Sequence, residues 1–187
     1  MTELYNILRP ETSLERYFLT VPEFIAGLYW GEPRFGHPEG KVLYHIRDVL
    51  DNIDKLLVPN YIRQQLRLVA FLHDTFKINE ERNMLEGNPY VHHGTFARQF
   101  AVPYIADPFL LDVVELHDEA YYCWRLGALH KQAEAGELRF EALYNRVGQN
   151  MQFYYYFFKC DTCTGDKILA PLRWFEQSVA DIEKVYW

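Results

Sequence analysis

Strand-forming patterns are almost missing from this chain. Few segments alternate apolar and polar residues; nearly all space their apolar positions three and four apart, the period of an amphipathic helix. Cysteine is scarce. Cys160 and Cys163 form a CxxC, Cys123 stands alone, and the total of 3 is odd. That excludes a disulfide framework and leaves a thiolate zinc site short of ligands, so reduced cysteines and a cytoplasmic protein are expected. Basic residues are in deficit, with 19 Lys and Arg against 26 Asp and Glu and a formal charge of -7. No extended nucleic-acid surface or anionic-membrane surface is expected from that balance. A small anionic substrate is still allowed, because a local metal overrides the global field. No apolar run reaches the length of a membrane span. Met1 to Leu8 has Glu3 and no basic residue ahead of an apolar core, so it does not read as a signal peptide. Internal repeats and low-complexity linkers are also missing, so one domain over 1–187 is expected.

What is present is apolar and aromatic material, 49% hydrophobic and 17% aromatic in 187 residues, enough for a real core. The expected elements are a helix capped by Ser13, one starting at Pro22, and a loop from Gly31 to Gly40. A long helix follows from about Lys41 to Leu57, stopped by Pro59, and another from Tyr61 to about Phe76. Glu80 to Tyr90 reads as a loop. A helix from His92 or His93 ends before Pro103, and Asp107-Pro108 opens one leading to His117. Glu119 to about Ala135 is helical with Gly136 as its stop, then Phe140 to Val147 and Asn150 to Asp161. Gly165 breaks the last of these, and Lys167 to Val185 closes the chain. The fold class is an all-α, single-domain helical bundle.

Six residues stand out on the apolar faces of these helices: His45, His73, Asp74, His93, His117 and Asp161. Side chains three or four apart share a face, which groups His45 with Val42, Ile46 and Val49. His73 goes with Val69 and Ala70, His93 with Phe96 and Ala97, His117 with Val113 and Val114, and Asp161 with Phe157 and Phe158. Any one alone reads as a satisfied core residue. Together they need a compensating charge, and the same faces offer no Lys or Arg. A metal ion is the expected partner. Imidazole with carboxylate and no thiolate suits Fe, Mn, Co, Ni or Zn, with Mg also allowed. His45, His73, Asp74 and Asp161 make one site with open positions. Adding His93 and His117 provides for a second ion with Asp74 bridging. In the pair His92-His93 either imidazole is a candidate, and His93 is preferred because Ala97 lies one turn on.

This ordered set resembles that of the HD-domain superfamily of metal-dependent phosphohydrolases. The stretch Phe71-Leu72-His73-Asp74-Thr75-Phe76-Lys77 is similar to the family's apolar run, HD pair and following Lys. His37-Pro38-Glu39-Gly40 is similar to the segment ahead of the first ligand in HD domains of bacterial tRNA nucleotidyltransferases. The resemblance implies an HD-type bundle with a metal-binding core over about 37–165 and terminal helices packed on it. It implies His45, His73, Asp74 and Asp161 as core ligands, His93 and His117 as the ligands of a fuller site, and Lys77 near substrate phosphate. Two departures are His92-His93-Gly94, where His-Glu is usual, and Thr75-Phe76, where a small residue commonly precedes the Lys.

The implied reaction is hydrolysis of a phosphate ester, of a nucleotide or small phosphorylated metabolite, by attack of a metal-activated water. Asp74, Lys77 and Asp118 are the catalytic candidates. Asp118 would support the metal or act as general acid; its competing reading is a solvated helix end. Arg47 is a weaker candidate for holding phosphate. Tyr154 to Phe158 and the group Tyr121, Tyr122 and Trp124 are candidates for stacking a base, and the abundance of rings suits a homodimer. Two other functions share the pattern: an HD-fold di-iron oxygenase, and a non-catalytic nucleotide-sensing module.

Overall fold

A computed structural model describes residues 2–187. Among them are 12 α-helices, and the only β feature is an isolated bridge between Arg34 and His37. In chain order the helices are α1 (Thr2–Leu8), α2 (Ser13–Phe18), α3 (Pro22–Leu28), α4 (Val42–Ile53), α5 (Asn60–Leu72) and α6 (Lys77–Leu85). Then come α7 (His93–Ala101), α8 (Pro108–Leu116), α9 (Glu119–Ala128), α10 (Ala133–Val147), a 3-10 turn (Gly148–Asn150), α11 (Met151–Thr162) and α12 (Ala170–Ser178). No helix among the described residues is long and apolar enough to cross a membrane.

Local chemistry places most helix ends. Thr12, not Ser13, caps α2: its hydroxyl accepts from the Glu15 amide while the Glu15 carboxylate accepts from the Thr12 amide, a capping box. Pro22 and Pro108 sit in the first turns of α3 and α8, where a missing N–H costs nothing. The Asp107 carboxylate accepts from the Phe109 amide at the start of α8. Four further expectations change. Lys77–Leu85 is a helix, so most of the expected loop is α6. The helix expected to run to Phe76 ends at Leu72, leaving His73 to Phe76 as a turn. The closing helix covers only Ala170–Ser178. Gly136 lies inside α10 and does not stop α9, which ends at Ala128; a Cβ at Gly136 would stand 2.8 Å from the Cys123 carbonyl oxygen. Glycine lets α9 and α10 approach at that point.

The core centres on α4, α5, α8 and α11, which contribute Ile46, Val49, Leu66, Val69, Phe71, Val113, Val114, Tyr154 and Phe157. Burying such side chains contributes about 1.5–3 kcal/mol each. The α1–α2 segment is fastened to α5 by a buried ion pair. Arg67 Nε donates to Glu15 Oε1 at 3.0 Å, and Arg67 also donates to the Arg9 carbonyl at 3.0 Å. Both side chains are essentially inaccessible, at 1% and 0% exposure. The aromatic run in α11 belongs to this core. Tyr154, Tyr155, Phe157 and Phe158 are buried, so none is free to stack a base.

Candidate metal centre

Two His-Asp dipeptides are built alike. His73 closes α5 and His117 closes α8, each as the residue after the last helical turn. Each imidazole folds back so that Nδ1 donates to the carbonyl three residues earlier, Ala70 O at 2.9 Å and Val114 O at 2.8 Å. A carbonyl oxygen only accepts, so both Nδ1 atoms carry a proton and both Nε2 atoms, the positions left for a second proton or a metal, face inward. Asp74 and Asp118 follow on the turns into α6 and α9. A close backbone approach supports the first turn: a Cβ on Gly27 of α3 would stand 1.8 Å from the Thr75 carbonyl oxygen.

The other two imidazoles are oriented in the same sense by carboxylates. His93 Nδ1 lies 2.7 Å from Glu80 Oε2, which also accepts the His93 amide at 2.8 Å. His45 Nδ1 lies 3.1 Å from Glu39 Oε1, which His37 Nδ1 also approaches at 3.0 Å. Burial opposes ionisation of both carboxylates. Their hydrogen bonds with imidazoles, His45 for Glu39 and His93 for Glu80, nevertheless hold each at about 2.

The four Nε2 atoms divide into two groups around Asp74. His45 Nε2 lies 3.3 Å from His73 Nε2 and 2.8 Å from Asp161 Oδ1, with Asp74 Oδ2 3.7 Å from both imidazoles. His93 Nε2 lies 3.1 Å from His117 Nε2, and Asp74 Oδ1 lies 3.2 and 3.5 Å from this pair. Asp118 Oδ2 is 3.6 Å from both of its nitrogens. Asp74 therefore turns one oxygen to each group.

Lone pairs face lone pairs across these gaps, so each group needs a proton or a cation between its members. Donors sharing one ion at about 2.1 Å stand roughly 3.0–3.5 Å apart, close to the spacings present, so the donor set fits divalent metal. His45, His73, Asp161 and Asp74 would hold one ion, and Asp74, His93 and His117 a second. The two imidazoles that close α5 and α8 differ in protonation. Burial drives His73 down to about 3. Against the same burial, Asp118 and Asp74 lift His117 to about 9. Burial also opposes ionisation of Asp74 and Asp161, yet the neighbouring lysines and imidazoles keep both well below the ordinary carboxylate range.

All six expected ligands thus meet in one place. His92 does not join them. Its Nδ1 accepts the Gly94 amide at 3.1 Å as the cap of α7, and its Nε2 lies 3.3 Å from Asp118 Oδ2. One expectation is corrected. The buried carboxylates do have lysine partners. Lys77 Nζ donates to Asp74 Oδ2 and lies on the first turn of α6, while Lys167 Nζ lies 2.8 Å from Asp161 Oδ1 and arrives from the loop after α11. Arg47 points away from the site, donating to Asp51 and to the carbonyls that end α1.

The cluster forms the floor of a cleft of about 900 Å³, which Lys77, His93, Asp118, Asp161 and Lys167 all line. Its walls come from the loop before α4 and from α6, α9 and the segment after α11. Tyr121 and Tyr122 line it, whereas Trp124 does not. Glu39, Glu80 and Lys167 were not picked out as site residues by sequence reasoning. For Glu80 a signal existed, since Glu80, Glu81, Arg82, Met84 and Leu85 are good helix formers ahead of Gly87. No protein-family model, curated protein or solved structure matches this chain.

Proposed function

We propose that this chain is an HD-type metal-dependent phosphohydrolase acting on the phosphate ester of a nucleotide or small metabolite. The observation that carries the reading is the division of labour at Asp74. One oxygen serves the His45–His73–Asp161 group and the other the His93–His117 group, at the floor of an open cleft. Metal bound there would lower the pKa of water and polarise a phosphoryl oxygen. The chain's own residues do the rest. Asp74 and Asp161 carry the negative charge that retains cations. Glu39, Glu80 and the Ala70 and Val114 carbonyls fix the imidazole tautomers, which raises ligand basicity.

Asp118 faces both the imidazoles and the cleft, with its side chain 27% exposed. It is placed to accept a proton from an entering nucleophile or to orient it by hydrogen bonding. Lys77 is 16% exposed on the cleft side of Asp74, and its ammonium can turn a second N–H toward a phosphate oxygen while keeping its ion pair. Lys167 stands in the same relation to Asp161.

The test is elemental analysis of the full chain, followed by a panel of phosphomonoesters, cyclic nucleotides and dinucleotides with that metal restored. One or two ions per chain and hydrolysis abolished by Asp74→Asn are expected. A metal-loaded protein inert towards the whole panel overturns the reading. A mixed-valent iron signal with oxygen consumption would assign an oxygenase instead, and nucleotide binding without turnover a sensing module.

A further inference from the structure

The cleft changes character with height above the metal-binding floor. Its floor is buried and charged. Its rim carries Phe35, Met84, Leu85 and Ile168, which are 75%, 57%, 82% and 49% exposed. These come from three separate segments, the loop before α4, α6 and the loop after α11, so no single helix face accounts for their convergence. Exposed apolar side chains gathered on one concavity mark a binding surface, whereas scattered ones do not.

Two contacts tie polar groups of the upper wall to one another. Trp30 Nε1 donates to Glu81 Oε2 at 2.7 Å, and the Arg34 guanidinium lies 5.7 Å from the Trp30 ring centroid. That leaves an apolar lip above a cationic and metal-binding floor. The volume of about 900 Å³ is at the upper end of sites that hold drug-sized organic ligands, far more than a phosphoryl group fills.

We propose that the substrate is an amphiphilic organic phosphate: its phosphoryl group sits on the floor, and a bulky, largely apolar alcohol portion lies along Phe35, Met84, Leu85 and Ile168. The identity of the head group rests on the hydrolase reading; the apolar lip does not. A small polar ester would leave the lip wet, and a long-chain or fused-ring ester would cover it.

The experiment measures binding, so that it reads even if no ester is turned over. Non-hydrolysable n-alkyl phosphonates from butyl to octyl, below their micellar concentrations, are titrated into the metal-loaded full chain by calorimetry. Complete burial of a methylene is worth about fourfold in affinity, and a half-open lip about twofold. A gain of roughly 16-fold across the series is therefore expected. The double variant Leu85→Ser, Ile168→Ser should lose most of that gain. Leu57→Ser, fully exposed outside the cleft, should keep it. A change under twofold from butyl to octyl overturns the proposal, as does an undiminished gain in the double variant. Absence of hydrolysis with the gain intact would fell the hydrolase reading alone.

Discussion

Replacing Glu80 by alanine tests the centre most directly, because Glu80 touches one group of donors only. Its Oε2 accepts from His93 Nδ1 at 2.7 Å and from the His93 amide at 2.8 Å. Without it the His93 ring is free to rotate or to move its proton to Nε2, which removes the lone pair facing Asp74. Losing such a supporting carboxylate costs about 10–100-fold in metal affinity, or about 1.4–2.7 kcal/mol. Fold stability should fall less, by about 0.5–1.5 kcal/mol, because the side chain is 21% exposed and water can replace it at the amide. Titration of metal-free protein with Mn or Zn by calorimetry should show two equivalents, and only the one held by His93 and His117 shifts in Glu80→Ala. The equivalent held by His45, His73 and Asp161 should change less than twofold. Equal weakening of both equivalents, or of neither, would refute the assignment of separate donor groups. Glu80→Gln, whose amide oxygen still accepts from Nδ1–H, should lie between wild type and alanine.

The remaining predictions concern neighbouring parts of the same construction. His92→Ala should cost about 0.5–2 kcal/mol through the lost α7 cap and keep both metal equivalents, whereas His93→Ala should lose one, as metal content after dialysis would show. Gly27→Ala should push the His73–Thr75 turn off its position, with about 1–3 kcal/mol lost in urea unfolding and weaker metal binding; an unchanged metal titration would count against the backbone contact as a support of the site. Arg67→Ala leaves Glu15 buried and unpaired, so a loss of about 3–5 kcal/mol is expected in denaturant melts. The pH dependence has two arms. Glu39 and Glu80, depressed to about 2 from 4.5, contribute stability that is full above about 4.5 and lost as pH falls towards 2. His117, raised from 6.5 to about 9, contributes to the metal-free protein below about 6.5 and loses that contribution as pH rises through 9. At pH 7 metal must therefore displace the His117 proton, and a weakly buffered titration should register its release.

Helical spacing in the apolar positions was enough to read an all-α chain, because each helix writes its buried face locally. The same logic placed His45, His73, His93, His117 and Asp161 on inward faces, and the structure brings all of them together with Asp74. Boundaries were less legible. Lys77–Leu85 has no buried residue and so no strong apolar stripe, which is why it read as a loop. Gly136 carries the same local signal as a helix stop, but it lies inside α10, and the Cys123 carbonyl across space accounts for the missing side chain. The lysines were missed for another reason. Lys77 reaches Asp74 around the turn and Lys167 reaches Asp161 from a loop, so neither shares a helix face with its carboxylate.

The sequence by itself determined the class of fold and the roster of donors, since both follow from residue type and short-range periodicity. It offered both His92 and His93, preferring His93 only on the strength of Ala97 one turn on; the fold sets His93 Nε2 beside Asp74 and His117 and His92 Nε2 beside Asp118. Only the tertiary structure divided the donors into two groups, turned the two oxygens of Asp74 to opposite sides, and set an apolar lip over a charged floor. Those are relations between segments as far apart as His45 and Asp161. They depend on how helices cross and where turns close, which no local pattern of side chains records.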